Sequence, residues 1–290
     1  MVFAPDTSIK RRAWMAGGLA ALAWRPALAE AHVRIGITAV MLTDQAAFLN
    51  RWAQWLTPRL GRQVVFVARD DYQPIMDLLL AEQLDAAWIC GYPYVRYESQ
   101  LRLLAVPLHE GRPQYRAYLI RSRGAAHPDG WADLRGRVLA FSDPLSNSGW
   151  LVAQGQLAAA GLSGADLRRS FFAHGHRNVT EAVAARLADA GSVDGYVWDT
   201  MQRLGMAAAQ QTEVVWRSDW HGFPPLVVPA AGDPALADRL RQALLTMAGD
   251  DEGRALLAAL NLNGFTTAVP ALFDSIRALA RRVPGSGVTA

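Results

Sequence analysis

A single cysteine, Cys90, is all the thiol chemistry this 290-residue chain holds. No internal disulfide can form, and a cysteine-built metal cluster is excluded. A charge excess is lacking too. The whole chain carries 29 bases and 26 acids, but Lys10, Arg11, Arg12, Arg25 and Asp6 all fall within residues 1–29, so the remainder balances at 25 of each. A balanced chain has no electrostatic footprint for nucleic acid or an anionic membrane surface. Beyond residue 29 no apolar run approaches the length of a membrane-spanning helix. Also missing are a G-x-S-x-G elbow, a P-loop, G-x-G-x-x-G, C-x-x-C and H-E-x-x-H, so the familiar hydrolase, nucleotide, redox and zinc-protease signatures are absent.

What is present begins with an address. Lys10-Arg11-Arg12 precedes the apolar stretch Ala13 to Trp24, and Ala27-Leu28-Ala29 supplies small residues for cleavage. This is the layout of a signal peptide over residues 1–29, and it places the product in the periplasm. Arg11-Arg12 ahead of Trp14-Met15 is similar to a twin-arginine signal, the route for already folded cargo. In an oxidising compartment Cys90 is either a buried small hydrophobe or a thiol kept for a purpose.

From Val33 onward strand and helix patterns alternate. Strands are expected at 33–37, 64–67 and 85–89, with helices at 45–56 and 72–82. Such spacing means parallel strands joined by right-handed crossovers. A second unit repeats the scheme, with strands at 115–120, 138–141, 171–173 and 193–197 and helices from Ser148 and over 180–190. The Gly- and Pro-containing segments 109–113 and 217–225 read as two crossings between the units. The expected fold class is therefore α/β. Residues 30–112 and 221–290 form one lobe, the latter with a strand at 226–228 and three closing helices, and residues 113–220 form the other.

Four segments and one further residue carry candidate chemistry, each expected just after a strand. Asp143-Pro144-Leu145-Ser146-Asn147-Ser148-Gly149 leads into a helix, where unpaired N–H groups and the positive end of the dipole favour a small anion; the alternative is plain N-capping. His174-Gly175-His176 would lie at the same sheet edge, and its His-x-His pair has no third ligand at usable spacing for zinc. Asp70-Asp71-Tyr72 and Cys90-Gly91-Tyr92-Pro93-Tyr94 would present phenols and a thiol from the first lobe, with Tyr92 and Tyr97 read as packing. Asp199 either accepts a hydrogen bond from a protonated ligand oxygen or caps a helix starting at Thr200.

Taken in order and spacing, Asp71-Tyr72, Asp85-Ala86-Ala87-Trp88, Gly91-Tyr92-Pro93-Tyr94, Asp143 to Gly149, His176-Arg177-Asn178 and Val193-Asp194-Gly195 resemble the phosphonate-type substrate-binding proteins of ABC transporters. That family includes phosphite-, phosphonate- and arsenite-binding members. The resemblance implies a two-lobed type II periplasmic-binding fold that closes over a small oxyanion, without catalysis or cofactor, and hands it to a permease. By the same resemblance Tyr72, Tyr94, Ser146, Asn147, Ser148 and His176 contact the ligand. Cys90 and Asp199 complete the candidate set. Asn147 departs from the small hydroxyl residue often found there, and Cys90 adds a soft group that a phosphonate site does not need. Two alternatives stay open: an arsenite- or oxyanion-sensing protein signalling to a sensor kinase, and an exported thiol enzyme using Cys90 and His176.

Overall fold

The computed structural model describes residue 1, residues 32–38 and residues 46–288. The expected signal segment lies outside these residues except for Met1, as does Gln45 at the head of the first expected helix.

The chain opens with β1 (Val33–Ile37), α1 (Ala46–Leu60), β2 (Val64–Ala68), α2 (Tyr72–Leu80), β3 (Ala86–Trp88), α3 (Gly91–Arg96) and β4 (Leu101–Leu108). It crosses through β5 (Gln114–Tyr115) into β6 (Ala117–Ser122), β7 (Val138–Phe141), α4 (Val152–Ala159), β8 (Arg169–Phe172), α5 (His176–Ala184), β9 (Ala190–Asp194), α6 (Gly195–Arg203), α7 (Ala207–Gln210) and β10 (Thr212–Arg217). The return runs through β11 (His221–Gly222) to β12 (Leu226–Pro229), α8 (Pro234–Leu245), α9 (Asp251–Ala259), β13 (Gly264–Thr266) and α10 (Asp274–Arg282).

The strands form two large sheets with the same internal order. One runs β13-β4-β12-β3-β1-β2 and the other β10-β6-β9-β7-β8. In each, a parallel trio (β2-β1-β3 and β8-β7-β9) is followed by an antiparallel strand, β12 or β6, that has just arrived from the other half. Parallel strands need crossover helices on both faces, so their residues are apolar on both sides. Ala140 packs with Val179 and Val183 on one face of the second sheet, while Leu139 and Phe141 pack with Ala153 and Leu157 on the other. In the first half, α1 lays Phe48, Leu49, Trp52, Trp55, Leu56 and Leu60 on one stripe at helical spacing. Trp52 meets Trp88 of β3 edge to face, at 6.1 Å between ring centroids.

The two crossings run side by side, since β5 and β11 pair antiparallel with Tyr115 opposite His221. His221 is 7% exposed, with Nδ1 3.0 Å from Ser275 Oγ. Burial pushes its pKa down to about 4. The unfolded chain therefore holds the extra proton between about pH 6.5 and pH 4, and the folded chain does not. Stability contributed here is present above that window and falls as pH drops through it, by at most about 1.4 kcal/mol per pH unit. Urea unfolding of wild type and His221→Gln should show the stability difference moving in the variant's favour from pH 6.5 to pH 4. A constant difference would mean that His221 titrates as it does in water.

Several expected boundaries move. The strand expected at 115–120 divides at Arg116 into β5 and β6, and the strand expected at 193–197 ends at Asp194. There the Asp194 carboxylate accepts the N–H groups of Tyr196 and Val197, and this N-cap turns the β-rich text Tyr196-Val197-Trp198 into helix. The helix expected at 180–190 starts four residues earlier, at His176, and ends at Ala184.

Candidate functional site

The carboxyl ends of the two parallel trios meet, and most of the candidate residues lie at this junction. After β7 the chain enters the loop Ser142 to Ser148. Asp143 is 2% exposed; its Oδ1 accepts the N–H of Leu145 at 2.7 Å and its Oδ2 accepts the N–H of Tyr72, from the other half, at 3.0 Å. Ser146 caps the helical run that starts at Asn147, with Oγ accepting the Gly149 N–H at 2.9 Å. The capping alternative therefore accounts for Ser146. Gly149 has to be glycine: a Cβ there would stand 1.8 Å from Ser142 Oγ.

Asn147 and Ser148 have a surplus beyond capping. The Asn147 N–H donates to Cys90 Sγ at 3.2 Å and its Nδ2 to the Tyr115 hydroxyl at 2.9 Å, which leaves Oδ1 buried without a partner. Ser148 is fully buried, and its Oγ has no hydrogen-bond partner although Tyr115 adjoins it. Ser142 Oγ is in the same condition. Buried hydroxyl and amide groups are rarely left unpaired, because each costs roughly 1–3 kcal/mol. Three within one short loop, at the start of a helix, mark a place for something that accepts and donates hydrogen bonds.

The other half answers with Tyr72 and Cys90, and the paired crossings with Tyr115. Tyr72 is fully buried, and its hydroxyl lies 3.4 Å from His176 Nε2. His176 Nδ1 accepts the Asp194 N–H at 3.0 Å. That bond puts the single proton of the neutral ring on Nε2, facing the Tyr72 oxygen, and frees the Tyr72 hydrogen to point elsewhere. Burial keeps the ring neutral by pushing its pKa down to about 3. Burial also pushes the Cys90 thiol up to about 11, so it stays protonated. Both phenols are raised in the same way. The cluster is thus an array of neutral donors with two buried carboxyl groups, Asp143 and Asp194.

Two expected residues point away. The Tyr94 hydroxyl donates to Glu98 at 3.2 Å and its ring packs on Phe273 at 4.8 Å. Asp199, on α6 one turn past the cap, accepts the Tyr118 hydroxyl at 2.9 Å and lines a separate hollow of about 480 Å³ with His109, Glu110 and Arg203. His174 Nδ1 hydrogen-bonds the Asp71 carboxylate at a half-exposed rim between the halves. Tyr92 stacks on Trp150 and donates to the Ser286 carbonyl at 2.5 Å, which is packing. Tyr115, Asp143 and Asp194 were not among the expected ligand contacts, although Asp143 opens the serine loop and Asp194 lies in the Val193-Asp194-Gly195 stretch. Beside the cluster, Asp71, Asp143, Tyr92, Trp150, Arg96 and His174 border a cavity of about 550 Å³.

Among the described residues one trio, His127, Asp129 and Asp133, is close enough to gather a metal ion. All three are exposed and Arg121 already pairs with Asp129, so this trio is an ion-pair cluster remote in kind from the buried junction.

The chain matches a family model described as the periplasmic substrate-binding protein of phosphonate ABC transporters over residues 35–273. It is 28% identical over 212 residues to the phosphate-import protein PhnD of Mycolicibacterium smegmatis, covering 69% of this chain and 66% of that protein, just under two thirds of its length. A binding-protein component of an ABC phosphonate transporter from Pseudomonas aeruginosa superposes with a TM-score of 0.80 at 19% identity, covering 89% of this chain and 88% of that one. PhnD1 from Prochlorococcus marinus, solved with methylphosphonate, gives 0.75 at 16% identity, covering 86% and 97%. At such identities the superpositions speak for the two-lobed type II fold. The family match spans most of the sequence, and with it the chain belongs to the periplasmic substrate-binding proteins of phosphonate ABC transporters.

Proposed function

We propose that this protein captures a phosphate-, phosphite- or phosphonate-class oxyanion between two lobes and delivers it to an ABC permease, without turning it over. The lobes are residues 30–112 with 221–290, and residues 113–220, after an export signal over residues 1–29. The observation that carries the reading is the buried, partnerless Ser148 hydroxyl at the start of a helix, beside an Asn147 whose main-chain N–H meets Cys90 from across the junction and whose Nδ2 meets Tyr115 of the paired crossings. Helix-start N–H groups and neutral hydroxyls hold oxyanions without a cation. Relatives named for phosphate import and methylphosphonate binding support that ligand class. Contacts such as Tyr72 N–H to Asp143 and Asn147 N–H to Cys90 join the lobes directly, so lobe closure and site assembly are one event.

The thiol argues against the alternatives. An arsenite site or a thiol nucleophile needs a thiolate, and Cys90 is held protonated up to about pH 11. A ligand that binds only the folded protein raises its melting temperature. Residues 30–290 heated with phosphate, phosphite, methylphosphonate, arsenite and sulfate should be stabilised by one or more phosphorus oxyanions. Stabilisation by arsenite alone, or by none, would overturn the reading.

A further inference from the structure

Among the described residues seven buried side-chain polar atoms have no hydrogen-bond partner, and six of them can donate. Trp52 Nε1, Trp131 Nε1, Arg102 Nε and Arg116 Nε are N–H groups, while the hydroxyls of Ser142 and Ser148 turn to donate or to accept. The seventh, Asn147 Oδ1, can only accept. Asn147 is 0% exposed, and its other polar atoms are all engaged. Its main-chain N–H donates to Cys90 Sγ at 3.2 Å, its carbonyl accepts the Val152 N–H, and Nδ2 donates to the Tyr115 hydroxyl at 2.9 Å. That last bond sets which way the amide faces. The serine loop therefore holds, next to hydroxyls that can adapt to a ligand, one acceptor that cannot.

Resting on the oxyanion reading above, we propose that Asn147 determines specificity: its Oδ1 accepts a hydrogen bond from the ligand, so the site takes oxyanions that still carry an O–H and rejects those that have lost it. Hydrogen phosphate and the monoanions of phosphite and phosphonates qualify. Sulfate and the phosphonate dianion do not. Closed against an oxygen without a hydrogen, Oδ1 stays buried, unpaired and next to a like partial charge, so the cost of the wrong ligand counts as much as the bond to the right one. Sites built to hydrogen-bond a ligand O–H reject the analogue lacking it for this reason.

The buried acids are otherwise employed. Asp143 gives both carboxylate oxygens to main-chain N–H groups, those of Leu145 and Tyr72, and Asp194 caps α6. The remaining titratable groups around the loop keep one protonation state near neutrality: burial raises Cys90 ahead of α3, Tyr72 of α2 and Tyr115 of β5, and it holds the His176 ring of α5 neutral. Asp143 and Asp194 are also raised by burial, and any titration of theirs acts alike on two ligands of equal charge.

Phosphate and methylphosphonate separate the O–H from the charge. Both pass from one negative charge to two near neutrality, but hydrogen phosphate keeps an O–H and methylphosphonate loses its last. The test is titration calorimetry of residues 30–290 with inorganic phosphate, methylphosphonate and sulfate from pH 6 to pH 9. Wild type should lose affinity for methylphosphonate by about tenfold per pH unit above that ligand's second ionisation, while its affinity for phosphate holds. Sulfate should bind roughly 10- to 150-fold more weakly than phosphate. Asn147→Ser, whose hydroxyl can donate, should flatten the methylphosphonate slope and admit sulfate. A methylphosphonate affinity that does not fall, an equal fall for phosphate, sulfate bound as tightly as phosphate, or an unchanged slope in Asn147→Ser would overturn the proposal and leave the oxyanion reading intact. Failure of wild type to bind any of the three would overturn both. The wild-type comparison decides the matter even where the variant does not fold.

Discussion

Ser148→Ala should weaken binding of the cognate phosphorus oxyanion by roughly 10- to 150-fold, the worth of one hydrogen bond to a charged group at about 1.5–3 kcal/mol. The unliganded protein should melt at or above the wild-type temperature, because the buried Ser148 Oγ has no protein partner to lose and an unpaired buried hydroxyl is itself a cost. The pairing of the two results is the diagnostic. A buried serine that served packing or capping would take stability with it, as Ser146 should through its bond to the Gly149 N–H. The Ser148 backbone is held independently, its carbonyl accepting the Ser192 hydroxyl at 2.6 Å, so removal of the side-chain oxygen leaves the loop in place. Calorimetry for affinity and a melting curve without ligand measure the two quantities separately. Unchanged affinity would move the ligand away from the serine loop.

Trp88→Ala should cost about 3–5 kcal/mol of stability, as deletion of a fully buried aromatic ring does. At roughly 2–4 °C per kcal/mol for a chain of this size, the melting temperature should fall by roughly 6–20 °C. The ring is 0% exposed, sits edge-on to Trp52 and lies 6.4 Å from Phe265. Its Nε1 donates to the Pro224 carbonyl at 2.9 Å, which ties β3 to the returning crossing. Trp88 is also two residues from Cys90 in the chain. Thermal melts and urea unfolding measure the loss. A drop of only a degree or two would mean that neighbouring rings close over the space.

Much of this architecture was readable in the sequence because parallel strands and amphipathic helices each write a period. Val33 to Ile37, the α1 stripe and the turn Asp143 to Gly149 all lie where the pattern puts them. Strands whose partners are remote carry no such signal: β4, β10 and β13 pair antiparallel with segments that the fold alone brings near. The site divides on the same line. Tyr72, Cys90, Asn147, Ser148 and His176 follow parallel strands directly and converge. Tyr94 lies on an α3 face turned towards Phe273, and Asp199 falls one helical turn beyond the true end of β9, because Asp194 stops the strand and caps the helix. Tyr115 was hidden for a different reason: it belongs to a two-residue strand that exists only because the crossings pair.

The one thiol of the chain lies on the seam between the lobes, fully buried against the Asn147 N–H. As it is buried here, a maleimide or disulfide reagent should reach it only when the lobes part, and no second cysteine competes for the label. If the proposed capture holds, Cys90 makes this protein its own clock: the rate at which it is alkylated would count openings, and a bound oxyanion would slow the count by the fraction of time it keeps the lobes shut.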